Sequence, residues 1–207
     1  MTEATGNEPS PLTSIRTVLA GLDWSDRASA HAHTAAAFAA LGPEPIVADL
    51  AAALPAAIDV GRSVEKTTHY KWFLGGPADG SYELWLHEYK PRGMRREGHA
   101  TVAHNHRFWL SSVLLRGGFT DSRFRRDDSS PSLLERISDR RLEAGDTMVI
   151  DADEIHSLSD LEDGTITLIV QSAPIRSYSE VFEGGSRKVY FDLEAKLTDL
   201  GESLRRA

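Results

Sequence analysis

His104 and His106 lie two residues apart in GHATVAHNHRFW, residues 98–109. In an extended chain successive side chains alternate, so both imidazoles point to one face. Two imidazoles on one strand face are half of a metal site. The chain has no cysteine, which excludes disulfides, thiolate ligands and a cysteine nucleophile together. A metal would therefore be held by His, Asp or Glu, and imidazole suits Fe, Ni, Cu and Zn. His31 and His33 repeat the His-x-His spacing inside ASAHAHTAAAFAAL. That stretch reads as helix, where residues two apart do not face each other, so it is not expected to bind metal. His99 reads as an exposed strand-end residue, and His69 and His87 as strand or loop residues rather than ligands.

The elements that must position such a site change character along the chain. Residues 1–10 read as a leader. One helix is expected from Pro11 to about Leu41, stopped by Gly42 and Pro43, and a shorter one from about Ile46 to Leu54. From Tyr82 onward the chain breaks into short runs rich in aromatic and β-branched residues: Tyr82–Tyr89, Phe108–Leu115, Thr147–Ile150, Thr165–Gln171 and Lys188–Phe191. Gly, Asp, Pro and Ser punctuate them, which predicts a sandwich or barrel and not a βαβ fold. A last amphipathic helix is expected over Leu193–Arg206. The organisation is then residues 1–62 as leader and packed helices, and residues 63–207 as a β domain with a C-terminal helix.

The 207 residues carry a net charge of −8, which argues against a nucleic-acid partner. The basic clusters Arg92–Arg96 and Arg123–Arg126 read as solvated strand ends or loops. No apolar run is long enough for a membrane span. The N-terminus has no basic region followed by an apolar one, so a cytoplasmic home is the default expectation.

The wider spacing resembles the cupin pattern. Gly98 is followed by five residues and His104, and Gly117 follows His106; further on, Gly145 is followed by ten residues and His156. Asp151 and Asp153 occupy the places of that pattern's turn proline and glycine. The resemblance implies an all-β cupin (jelly-roll) barrel with N-terminal helices, and His104, His106 and His156 as metal ligands. The motif's glutamate is missing, since its place falls on Leu110 or Ser111. This is similar to three-histidine cupins, and among them to the cysteine dioxygenase group. AHNHRFWLSSVLLRGGFTDSRF, TLIVQSAPIRSYSEVFEGGSRKVYF and YKWFLGGPADGSYELWLHEY follow that group's layout over roughly residues 65–192.

That resemblance implies an iron(II) dioxygenase that joins O2 to a small organic substrate, with Zn, Ni and Mn as alternative metals. In the group an arginine in a Tyr-x-Arg stretch holds the substrate carboxylate. Here the match is Tyr70-Lys71-Trp72, so Trp72 stands in the arginine's place and Lys71 should alternate away. Tyr70, Trp72 and Phe108 are the substrate-contact candidates. Gln171 and Ser111 are the catalytic candidates, matching the group's tyrosine and its crosslinking cysteine. Free cysteine is expected to be a poor substrate beside Trp72. Two other readings stay open: a non-redox metal enzyme (isomerase, lyase or hydrolase) and a ligand-binding protein without activity.

Overall fold

The computed structural model describes residues 11–96, 100–127, 129–191 and 205. The leader, His99 and the expected C-terminal helix lie outside the described residues, apart from Arg205. Three helices come first: α1 Pro11–Ala20, α2 Arg27–Leu41 and α3 Pro43–Ala53. The single helix expected over Pro11–Leu41 is broken by a turn. The Asp23 side chain accepts from the backbone N–H of Ser25 at 2.9 Å, and Asp26 caps α2 by accepting from Ser29 N–H at 3.2 Å. Local carboxylates compete with the helical ladder there. Pro43 opens α3, three residues before the expected start, because a helix's first turn needs no N–H from it.

Twelve strands follow among the described residues. The first sheet contains β1 Asp59–Glu65, β2 His69–Gly75, β3 Tyr82–Tyr89, β5 Leu110–Arg116, β8 Thr147–Ile150 and β10 Ile166–Ser172, in the order β1-β2-β3-β10-β5-β8. The second contains β4 Ala103–His104, β6 Gly118–Asp127, β7 Ser130–Glu143, β9 Ile155–Ser159, β11 Tyr178–Glu183 and β12 Ser186–Phe191, in the order β12-β11-β4-β9-β6-β7. All the paired strands are antiparallel. Among the described residues no ladder joins the two sheets, so the expected mostly-β fold with N-terminal helices takes the form of two antiparallel six-stranded sheets.

Both faces of the first sheet are covered. Leu74, Leu84, Leu86, Val113, Leu115, Leu168 and Val170 pack against Leu12, Ile15, Leu19, Phe38, Ile46 and Leu50 of the helices. On the other face, Tyr89 and Leu114 meet Phe119, Leu142 and Leu158 of the second sheet. Period-two alternation therefore sorts side chains between two interiors, not between core and water.

A polar pin ties α2 to the helix-facing side. His31 and Ser111 are both 0% exposed. Ser111 Oγ donates to the His31 carbonyl at 3.1 Å, so it accepts from His31 Nδ1–H, 2.5 Å away. His31 Nε2 is buried with no hydrogen-bond partner. Protonating it would bury an unpaired N–H and a charge. Burial, then the nearby Arg27 charge, lowers the His31 pKa from 6.5 to about 4. A histidine with a depressed folded pKa stabilises the fold while neutral; that contribution is whole above pH 6.5 and is lost as pH falls through about 4. The urea midpoint of the metal-free protein should drop over this window, and His31→Gln should flatten the drop. Equal pH slopes for the two proteins would show that His31 is not the titrating group.

Candidate metal centre

Three elements bring three histidines together. His104 ends β4 and pairs directly with His156 on β9. His106 lies just past β4, in the loop that leads to β5, and not on a continuous strand as its spacing suggested. Ring centroids are 4.8 Å apart for His104 and His106, 4.6 Å for His104 and His156, and 5.2 Å for His106 and His156. The ligand atoms all lie within 4.8 Å of one another. This is the group that could hold a metal among the described residues.

Neighbouring acceptors fix the rings. His104 Nδ1 donates to the Val102 carbonyl at 2.8 Å, which leaves Nε2 for the site. His156 Nδ1 donates to Asp121 Oδ1 at 2.7 Å. Arg123 Nε donates to the other Asp121 oxygen at 2.5 Å. Burial raises the Asp121 pKa, but the His156 and Arg123 contacts outweigh it and hold the carboxyl below its usual range. With Nδ1–H committed to Asp121, His156 Nε2 presents a lone pair. It lies 2.9 Å from His106 Nε2. Imidazoles at right angles on one ion, with bonds of roughly 2.1 Å, place their nitrogens about 3 Å apart. The donor set therefore fits a divalent cation.

The loop that carries His106 is clasped from below. Asn105 Nδ2 donates to Glu180 Oε2 at 2.7 Å, and Glu180 N–H donates back to Asn105 Oδ1 at 2.8 Å. Asn105 N–H donates to the Glu180 carbonyl at 3.1 Å. Arg126 and Arg187 ion-pair with the buried Glu180 carboxylate. Arg176 Nε donates to the His106 carbonyl at 2.9 Å, and its Nη1 meets Asp153 at 2.6 Å. So Arg176 ties the His106 loop to the turn before His156.

The remaining site candidates divide by strand phase. Phe108 stacks on His106 with centroids 5.5 Å apart. Gln171 lies between the sheets, donating to Glu83 at 2.6 Å and accepting from Lys71 at 3.5 Å. Trp72, Tyr70 and Ser111 lie on the opposite face. Trp72 joins the helix-side cluster and donates to Glu88 at 2.9 Å, with Tyr70 stacked on it. Ser111 is under α2. These three placements correct the sequence expectation. Trp72 was expected inward because it stands in the place of the group's arginine, but it lies on the face that the helices cover. Lys71, expected to point away, is on the inner face in register with His87. His69 and His87 face the same interior, with centroids 4.5 Å apart.

Asp121, Asn105, Glu180 and Arg176 were not foreseen. The one available signal was Asn105 itself, a turn-prone residue wedged between two candidate ligands. Removing Asp121 should weaken metal binding, since outer partners of histidine ligands typically contribute about ten- to a hundredfold in affinity. Asp121→Ala should show that loss in a chelator competition titration while still folding. Unchanged affinity would mean that the His156 contact does not orient the ligand.

No protein-family model and no curated protein matches the chain significantly. Solved structures do. One, from the DMSP lyases RdDddP and RnDddQII, is 18% identical, covers 63% of this chain and 64% of that chain, and has a TM-score of 0.43. The DMSP lyase DddQ of Ruegeria pomeroyi is 15% identical, covers 65% of each chain, and has a TM-score of 0.42. An oxalate decarboxylase variant of Bacillus subtilis is 16% identical, covers 56% of this chain and 28% of that chain, and has a TM-score of 0.38. These neighbours are cupin-fold proteins. The match spans less than two thirds of their length, and at these scores no activity, metal or substrate passes from them to this chain. Among the described residues no single helix is long and apolar enough to cross a membrane.

Proposed function

We propose that the chain is a mononuclear non-haem iron(II) dioxygenase acting on a small organic substrate. The observation that carries this reading is the ligand set: three imidazoles and no carboxylate within the group. His104, His106 and His156 would hold the ion as three neutral donors, and iron(II) there would supply a positive centre for a soft anionic substrate and O2. The chain's own residues do the rest. Asp121 and the Val102 carbonyl aim the imidazoles. Phe108, Met148, Trp85, Leu110, Ile150 and Ile169 form an apolar cluster beside them that excludes water.

One observation favours a second reading, a non-redox lyase or isomerase on Zn, Ni or Mn. His87 Nε2 is shielded from solvent with no hydrogen-bond partner. Burial, then the His69, Lys71 and His106 charges, lower its pKa, so it is held neutral, with an unpartnered ring nitrogen that can hydrogen-bond an uncharged group of the substrate. A Lewis-acid enzyme can use such a neutral imidazole to orient its substrate beside the metal. Metal analysis of the purified protein, then oxygen uptake by the iron(II) form against thiols and enolisable carbonyls, separates the two. Substrate-dependent oxygen consumption supports the dioxygenase. Turnover that proceeds equally well without oxygen overturns it in favour of the lyase or isomerase.

A further inference from the structure

We infer that the cleft between the arginine-rich turn after β3 and the strands β9 and β11 is a second binding site, for a small organic phosphate. Arginines would take the phosphomonoester head, and the apolar residues beneath them its body. None of the three ligand histidines lines this cleft, and the inference does not rest on the reading of the metal centre.

The cleft has a volume of about 770 Å³. Small-molecule sites span roughly 300–1,000 Å³. Arg92, Arg95 and Arg96 line it. They belong to a basic cluster that the sequence suggested was merely solvated. Arg95 is the fixed member. Its Nη2 donates to Asp163 Oδ1 at 2.7 Å and its Nη1 to the Leu161 carbonyl at 2.8 Å. The same Asp163 oxygen accepts from the Arg92 backbone N–H at 2.7 Å. One carboxylate thus sets both residues in place. Two acceptors take up only part of a guanidinium's five donors, and Arg95 Nε is buried with no hydrogen-bond partner. Arg92 and Arg96 are exposed and make no ion pair among the described residues.

The base of the cleft is apolar. Leu158 and Phe182 are buried there, with Val102 and Leu161 half-buried beside them. Hydroxyls of Thr101 and Ser159 are also in the lining. Two lining carboxylates complete it. Glu183 pairs with Lys188 at 2.5 Å, and Asp160 takes the Ser159 hydroxyl at 3.2 Å. Asp160 has a φ of 50°, and it is the non-glycine residue with positive φ among the described residues. Backbone strain of this kind collects at ligand sites.

The charge and shape select the ligand. A guanidinium matches two phosphate oxygens at once, which an ammonium cannot do. Two arginines without a carboxylate call for a dianionic head, and a monocarboxylate would answer only one of them. The apolar base calls for a body that inorganic phosphate lacks.

The test uses the full chain freed of metal, so that phosphate has no ion to bind. It is titrated calorimetrically with 1-naphthyl phosphate, 1-naphthol and inorganic phosphate. A charge-assisted contact contributes about ten- to a hundredfold in affinity, so naphthyl phosphate should bind about tenfold or more tightly than either fragment. Arg92→Gln/Arg96→Gln should weaken it by about tenfold or more, with the Tm unchanged because both side chains are exposed. No saturable binding, equally tight binding of either fragment, or unchanged affinity in the double variant overturns the site. A second measurement needs no substitution. Naphthyl phosphate should protect Arg92 and Arg96 from phenylglyoxal, read by peptide mass spectrometry, while Arg140, exposed and outside the cleft, should react as before. Equal modification of Arg92 and Arg96 with and without the phosphate also overturns it.

Discussion

Replacing His156 with alanine is expected to cost the protein its metal. The residue supplies one of three ligands, and its ring is the one tied to a buried carboxylate. Losing an outer partner typically weakens a site by about ten- to a hundredfold, and losing the ligand itself should exceed about a hundredfold. The substitution also leaves the buried Asp121 carboxylate paired with Arg123 and without its imidazole. Metal content after dialysis, followed by chelator competition, reads the effect directly. His33→Ala is the matched control, because His33 is exposed on α2 and outside the group. A His156→Ala protein that retained one equivalent of metal at unchanged affinity would remove the three-histidine assignment.

The largest stability effect should come from the other side of the first sheet. Phe38 is fully buried in the helix-side cluster. Truncating a buried phenylalanine to alanine costs about 3–5 kcal/mol through lost transfer energy and the cavity left behind. Phe38→Ala should therefore lower the urea midpoint sharply. Its metal affinity should stay within a few-fold of the unaltered protein, because the histidines are in the opposite interior. Loss of less than about 1 kcal/mol would mean the helices contribute little to the sheet they cover.

Among the runs read as strands, those that form β3, β5 and β10 are buried on both faces. Such strands are continuous apolar or aromatic runs bounded by turn residues, and β3 and β8 begin and end where those runs do. β5, β10 and β12 are displaced from the expected runs by no more than a short step. The long β6–β7 hairpin was missed. Its arginines and aspartates pair across the strands, as Arg125 does with Glu135 at 2.7 Å, so its surface reads as a charged loop. The ligand histidines were legible through spacing. Their support was not, because Asp121 looks like any surface carboxylate until β6 is laid beside β9, where Arg123 pairs with His156. The phase of β2 was misjudged for a related reason. Two buried faces leave no hydrophobic-versus-polar contrast to say which way Trp72 points.

The clasp between Asn105 and Glu180 sets an order of assembly. Its partners are 75 residues apart, and His106 and His156 are 50 residues apart. None of these contacts can form locally. His104 sits on a two-residue strand that exists only between β11 and β9. The ligand triad is therefore complete only when residues late in the chain have folded back, and non-local pairings of this kind are intrinsically slow to form. A metal ion cannot template this architecture as it does in small metal-nucleated domains. It must enter a site that the polypeptide has already built.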